Sequence, residues 1–163
     1  MIIKNARRTA VALALVAFGA ITAHAQTATQ TVNFSVSAIN QISVSTPATT
    51  LAITTAVAGS APTSATSTGL TWAVTTNQST AKITASIPAM PTGLTLSANL
   101  GAPTGGTSAG YLALSATAVD LVTGVTKVAE AGLSLSYQLD ATAAAGVVAA
   151  TSRLVTYTIT GGT

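Results

Sequence analysis

Residues 133–139 have the sequence Leu-Ser-Leu-Ser-Tyr-Gln-Leu, an uninterrupted alternation of apolar and polar side chains. Successive side chains of a β-strand point to opposite faces of its sheet, so this segment buries one face and exposes the other. Such regular alternation is typical of an antiparallel sheet with one face in water. The segment therefore predicts an amphipathic strand, and the same pattern recurs along the chain.

The recurring segments are separated by turn-forming residues. The alternation is present in residues 32–38, 42–44, 70–74, 81–87, 94–100, 112–118 and 155–159. Gly and Pro mark the connections, of which 59–69 and 100–110 are the longest, and Gly124 and Gly132 are interpreted as turns. About eight or nine short strands predict an all-β fold, an antiparallel immunoglobulin-like β-sandwich. A small β-barrel is the alternative, because composition does not distinguish the two architectures.

The N-terminus has the three parts of a secretory signal peptide. Three cations precede an apolar run and a small-x-small sequence: Lys4, Arg7, Arg8, residues 9–21 and Ala23-His24-Ala25. We predict a cleavable helical signal peptide in residues 1–25, with cleavage between Ala25 and Gln26, and a single domain in residues 26–163. The apolar run is shorter than the roughly 20 residues of a membrane-spanning helix, so no span is expected after cleavage. The export machinery is then a partner, and the destination is the periplasm, the cell surface or the extracellular space.

Removal of the signal peptide changes the charge of the chain. The full sequence has a formal net charge of +3, but half of its Lys and Arg residues precede Gln26. The remaining charges balance, and they are Lys82, Lys127, Arg153, Asp120, Glu130 and Asp140. A nucleic-acid partner is therefore excluded, since it requires clustered cations that displace counterions from phosphates.

Few side chains suited to catalysis remain after cleavage. The chain has no Cys, and its single His, His24, lies in the signal peptide. Zinc, copper and Ser-His-Asp chemistry lack their usual groups, so we expect no cofactor, no metal site and no enzymatic activity. The alternative is a hydrolase that uses Asp120, Glu130 or Asp140. The sequence does not place any two of these carboxylates on one surface.

Two terminal segments, residues 29–38 and 153–160, are predicted to act as strand-exchange edges. Their alternating apolar residues are Val32, Phe34, Val36, Val155, Tyr157 and Ile159. Natural sheets usually protect their edges with Lys, Pro or bulges. Neither segment contains Pro or Gly, and Arg153 is the only charged residue in either. We therefore expect strand addition, through self-association or with a partner in a surface fibre.

A family resemblance follows from these features. The signal peptide, the domain rich in Thr, Ser and Ala, and the alternating terminal strands resemble exported fimbrial or surface-fibre subunits of Gram-negative bacteria. Residues 154–160, Leu-Val-Thr-Tyr-Thr-Ile-Thr, are similar to the C-terminal strand of chaperone–usher pilins. Those subunits usually have a disulfide, whereas this chain has no Cys and ends in Gly-Gly-Thr. The resemblance implies a structural or adhesive surface protein that self-assembles by terminal β-strand addition.

The alternative function is a monomeric secreted module that binds glycans or matrix. The long connections 59–69 and 100–111 would form its binding surface. Tyr111 follows the second connection and is the aromatic residue that we expect to contact a ligand. Trp72, the only Trp, alternates with apolar neighbours and is instead predicted to lie in the core.

Overall fold

The computed structural model describes residues 25–162, which fall into two compact units. The first unit ends at Ser35, and its described residues, 25–35, are exposed and contain no helix or strand. The second unit begins at Val36 and contains every strand given below. The predicted signal peptide lies outside the described residues, except for Ala25.

The second unit is built from β-strands, which confirms the all-β fold class. In chain order the strands are β1 Asn40–Val44, β2 Ala65–Thr66, β3 Leu70–Thr76, β4 Ala81–Ser86, β5 Leu94–Leu100, β6 Thr107–Ser108, β7 Leu112–Ala113, β8 Val119–Val125, β9 Val128–Ala141 and β10 Thr156–Thr160. A turn of 3-10 helix, Ala143–Ala145, lies between β9 and β10. Because β2, β6 and β7 are two-residue strands, the longer strands organise the domain.

The strands form two antiparallel sheets that pack as a β-sandwich. One sheet has the order β1-β3-β9-β5-β7, with β2 also paired to β9, and the other has the order β10-β4-β8-β6. Every strand pairing in residues 25–162 lies within one of these sheets, so the domain is a sandwich and not a closed structure. The consecutive strands β3, β4 and β5 alternate between the sheets, as is typical of immunoglobulin-like sandwiches.

The core lies between the inner faces of the two sheets, where alternation predicts it. In β9, Leu135 and Tyr137 are buried whereas Ser134 is exposed. The side chain of Trp72 is in the core, and its indole N–H donates a hydrogen bond to the carbonyl oxygen of Gly101 (3.2 Å). The buried apolar residues are Trp72, Val74, Ala81, Ile83, Ala85, Ile87, Ala98, Leu100, Leu114, Leu121, Val122, Val125, Leu135 and Tyr137.

Gly124 and Gly132 do not end strands, contrary to the sequence interpretation. They lie inside β8 and β9, each with a φ of +72°. Opposite Gly132 the register with β3 shifts, because β9 has one more residue than its partner there. A bulge of this type needs a residue in the left-handed region, which Gly adopts without steric cost. The glycines therefore form bulges where turns were predicted.

Residues 32–38 form no strand, although their alternation predicts one. The first strand, β1, begins at Asn40 instead. A strand exists through hydrogen bonds to a neighbouring strand, so alternation alone does not produce it. The C-terminal alternating segment does have a partner, and its residues Thr156–Thr160 form β10.

Candidate functional site

β10 is an edge strand of the four-stranded sheet. It pairs antiparallel with β4, where Thr158 lies opposite Thr84, and no other strand of residues 25–162 pairs with it. Tyr157 and Ile159 are half-buried against the core, as is Val155 immediately before the strand. The outer edge of β10 therefore presents main-chain N–H and C=O groups beside incompletely covered apolar side chains.

β1 is an edge strand of the six-stranded sheet and lies on the same side of the sandwich as β10. Cα atoms of the two strands approach within 8 Å of each other, although the strands belong to different sheets. Ile42 of β1 is half-buried against the core, and Val44 is exposed. The edges of the two sheets therefore lie side by side here, and β1 and β10 are not paired with each other.

Two tyrosines connect β10 to the opposite sheet. The Tyr157 hydroxyl donates a hydrogen bond to the hydroxyl of Tyr137 in β9 (2.6 Å). Burial raises the pKa of both phenols above the usual value of about 10. The shared hydrogen bond raises the pKa of Tyr157 further and partly lowers that of Tyr137. Both hydroxyls stay neutral at physiological pH, so the pair anchors β10 to the core.

The residues before β1 include an uncovered apolar series, and we call residues 26–38 the arm. Its residues Val32, Phe34 and Val36 are 70%, 92% and 80% exposed. The arm contains no helix, strand, turn or bend and has no charged residue. Exposed apolar side chains at alternate positions have the pattern of a strand without a partner.

The root of the arm is held by Asn77, the residue that follows β3. The Asn77 side-chain oxygen accepts a hydrogen bond from the N–H of Ile39 (2.8 Å), and its side-chain nitrogen donates one to the carbonyl oxygen of Ser37 (2.8 Å). The main-chain N–H of Asn77 also donates to the Ile39 carbonyl oxygen (3.3 Å). The sequence indicated only a connection between the alternating segments 70–74 and 81–87 here. The one sequence signal for this contact was an Asn directly after a strand. The side-chain amide of Asn has a donor and an acceptor, so it can form the hydrogen bonds of a main-chain peptide group.

A shallow groove of about 330 Å³ lies beside the root of the arm. Its walls are mainly apolar, and they are formed by Ile39, Thr75, Thr76, Asn77, Lys127, Val128 and Ala129. Lys127 lies in the turn between β8 and β9 with a φ of +44°. The groove thus joins the turn after β8 to the start of β1.

Tyr111 precedes β7 and is 42% exposed. Its hydroxyl donates a hydrogen bond to the Ser136 hydroxyl of β9 (2.9 Å), which fixes the orientation of the phenol. Tyr111 lines neither the groove at the arm root nor a smaller one around Trp72. Its role as a ligand contact stays a prediction.

The three side-chain carboxylates of the chain are in separate places. Their contacts are Asp120 with the Lys82 ammonium (3.0 Å), Glu130 with the Thr104 N–H (3.1 Å), and Asp140 with the Ser64 hydroxyl and the Gln138 amide. Within residues 25–162, no three side chains of His, Cys, Asp or Glu come together as possible metal ligands. The structure therefore does not assemble the three acids into one site.

Comparison with known proteins gives no match to this chain. No family model, curated protein or solved structure matches it. In the part of the chain that the structure describes, no helix is long and apolar enough to cross a membrane.

Proposed function

We propose that this protein is an exported structural or adhesive surface subunit that self-assembles by β-strand addition. The arm of one copy pairs with the outer edge of β10 in a second copy. The observation that carries the proposal is that one chain has both an uncovered alternating arm and a sheet edge without a partner among the described strands. Because the contact joins two different surfaces, its repetition generates a filament unless the copies close into a ring.

Apolar burial favours the addition of the arm. Val32, Phe34 and Val36 are mostly exposed, and full burial of such side chains contributes about 1.5–3 kcal/mol each. Tyr157 and Ile159 of the acceptor copy are half-buried, so an added strand would cover them further. Main-chain hydrogen bonds along β10 would supply the remaining affinity, as in other strand additions.

Charge does not oppose this contact. The arm and β10 contain no charged residue. Lys82, which lies opposite Thr160 on β4, is paired with Asp120 (3.0 Å). β10 also lacks the Pro, Lys or bulge that usually protects an edge strand. Two copies therefore meet without like-charge repulsion between the pairing segments.

The predicted export route supports the same function. Cleavage after Ala25 would make Gln26 the N-terminal residue, so the arm would begin at a free chain end. A segment with a free end can lie along the whole edge of a strand, because no loop has to lead the chain away at that end. A terminal arm therefore suits strand addition. Assembly would then take place in the periplasm, at the cell surface or outside the cell.

The test compares the mature chain, residues 26–163, with matched single variants. We expect filaments or SDS-resistant ladders from the mature chain, observed by electron microscopy and gel electrophoresis. Val32→Asp should stop assembly, whereas Val57→Asp should not, because both valines are 70% exposed and only Val32 lies in the arm. A mature chain that stays monomeric at high concentration would overturn the proposal.

A second candidate is a monomeric module that binds glycans or matrix, and the exposed phenol of Tyr111 favours it. An aromatic ring whose hydroxyl is fixed by Ser136 offers a flat surface on which a sugar ring can stack. A glycan array should then show binding that is lost in Tyr111→Ala and kept in Val32→Asp. Absence of binding, or equal binding by all three proteins, would reject this function.

A further inference from the structure

We infer that Asn77 is the positioning residue of the arm, an inference that rests on the proposed function. Asn77 fixes the root of the arm in the copy that donates it. The remaining residues, 26–36, are then the part offered to the acceptor copy. Asn77 acts through the arm and is not itself a contact of the acceptor edge.

The Asn77 side chain extends the ladder between β1 and β3 beyond its last residue pair. That pair is Asn40 opposite Thr76. One residue further, the side-chain amide of Asn77 accepts from the Ile39 N–H and donates to the Ser37 carbonyl oxygen, both at 2.8 Å. A side-chain amide has the donor and acceptor groups of a peptide, so it holds the root as a strand residue would.

The Asn77 side chain is held in place by its own neighbours. The Gln78 side chain donates a hydrogen bond to the Asn77 side-chain oxygen, and the Gln78 main-chain N–H donates to the Thr76 hydroxyl (3.0 Å). Thr76 is buried, and its hydroxyl donates to the Asn40 side chain (2.6 Å). On the other side, the Lys127 N–H donates to the Gln78 carbonyl oxygen (2.9 Å). The loop is therefore bonded on several sides, which preorganises Asn77.

Asn77 also begins the sequence Asn-Gln-Ser, which matches the acceptor sequence for N-glycosylation. The atom modified in that reaction is the side-chain nitrogen. In this structure that nitrogen donates to the Ser37 carbonyl oxygen. Modification of this nitrogen would therefore disturb the contact that holds the root of the arm.

Fixing the root lowers the entropic cost of donating the arm. Residues that are already ordered lose little conformational freedom when the arm pairs with a second copy. If Asn77 did not hold residues 37–39, these residues would have to become ordered as the arm pairs, and assembly would bear that entropic cost. Asn77 therefore affects the rate and affinity of donation and leaves the acceptor edge unchanged.

The experiment measures arm donation and edge binding separately, in the full mature chain. Asn77→Ala removes both side-chain hydrogen bonds to the root of the arm, and Asn77→Asp keeps the acceptor for Ile39 while it loses the donor to Ser37. Asn99→Ala is the matched control, because the Asn99 side chain bonds Ser108 and not the root. Donation is the rate of filament formation. Edge binding is the affinity for a labelled peptide of residues 26–38, measured below the concentration at which the chain assembles.

We expect Asn77→Ala to slow assembly about tenfold and Asn77→Asp about threefold. Peptide affinity should stay within about twofold for all variants, and Asn99→Ala should assemble as the parent does. Hydrogen exchange at the Ile39 amide should become faster in Asn77→Ala and change less in Asn77→Asp, which keeps the acceptor of that amide. If Asn77→Ala does not fold, Asn77→Asp carries the comparison, because it is almost identical in shape.

Two results would overturn the inference while the proposed function stands. One is equal assembly rates for the Asn77 variants and Asn99→Ala. The other is peptide affinity that falls in parallel with assembly, since it would show that the substitution damages the acceptor edge. A parent chain that does not assemble overturns the proposed function itself and is recognised before any variant is compared.

Discussion

The arm and β10 have similar sequences and different structures. Both alternate apolar with polar residues, and both lack charge. β10 is a paired strand whose apolar residues rest on the core, whereas the arm forms no strand and leaves Phe34 92% exposed. The difference shows that alternation determines which side chains share a face, while a partner determines whether a strand exists. The proposed assembly would remove this difference by giving the arm a partner.

Hydrogen exchange should give the largest contrast between the two segments. In the monomer, we expect the arm amides to exchange as in an unfolded peptide. The β10 amides that bond to β4 should be protected at least about a thousandfold. Because β10 is paired along one edge, protection should alternate from residue to residue along Thr156–Thr160. Residue-resolved NMR exchange measures both.

Assembly should convert β10 to continuous protection and give the arm, then paired along one edge, alternating protection. The filament is thus the internal control for the monomer. Uniform protection of β10 in the monomer would contradict its position at the edge of the sheet. Strong protection of the arm in the monomer would contradict its uncovered state.

An introduced charge should give the next-largest difference between the two segments, in the free energy of unfolding. Ile159→Asp places a carboxylate against the core and should lower the free energy of unfolding by about 3 kcal/mol. Phe34→Asp should change it by less than about 0.5 kcal/mol, because the arm side chain is already in water. Urea unfolding of the monomer measures both. Thr158→Asp, on the exposed face of β10, is the control. If it lowers the free energy of unfolding as much as Ile159→Asp does, burial against the core does not cause the loss.

Alkaline pH should destabilise β10 and not the arm. Burial raises the pKa of Tyr137 and Tyr157, so the folded chain favours their neutral forms. The resulting stability is complete below the unfolded pKa of about 10 and decreases above it, because the unfolded chain then releases protons that the folded chain keeps. Urea unfolding between about pH 8 and pH 11 measures this decrease.

The control for alkaline pH is the double variant Tyr137→Phe with Tyr157→Phe. It keeps every cation of the chain, so its difference from the parent isolates the two phenols. The double variant should lose less stability than the parent between these pH values. Identical pH profiles would show that the tyrosine pair does not make the free energy of unfolding depend on pH.

The ion pair beside β10 should have the smallest effect. The side chains of Lys82 and Asp120 are 45% and 44% exposed, and surface pairs of this kind contribute about 0–1 kcal/mol. Asp120→Asn should therefore lower the free energy of unfolding by less than about 0.5 kcal/mol, and added salt should remove even that difference. A loss comparable to that of Ile159→Asp would mean that charge, and not the apolar face, holds this sheet.

The sandwich was predictable because side-chain alternation depends on local backbone geometry. Leu135 and Tyr137 were placed on the buried face by period alone, and the structure confirms it. The order of the strands was not predictable in this way. That β10 lies beside β4, and that β1 approaches β10 from the other sheet, depends on pairings between residues far apart in the chain.

The candidate site was predictable only in part. The apolar face of β10 follows from alternation, but its use in strand exchange stays a prediction. The hydrogen bonds of Tyr157 to Tyr137 and of Asn77 to Ser37 join distant residues, and no sequence period encodes them. Gly132 shows another limit of prediction from sequence. A turn and a bulge both place Gly at a positive φ, so the residue type alone does not distinguish them.

Trp72 gives the protein an internal optical label for the sandwich. The chain has one Trp, and its side chain is 1% exposed within the core. Its fluorescence therefore reports whether the two sheets remain packed, and substitutions in the arm should leave the emission unchanged. A variant that stops forming filaments at unchanged emission has lost only the arm or its acceptor edge. A red shift of the emission would identify unfolding, so one spectrum distinguishes the two kinds of failure.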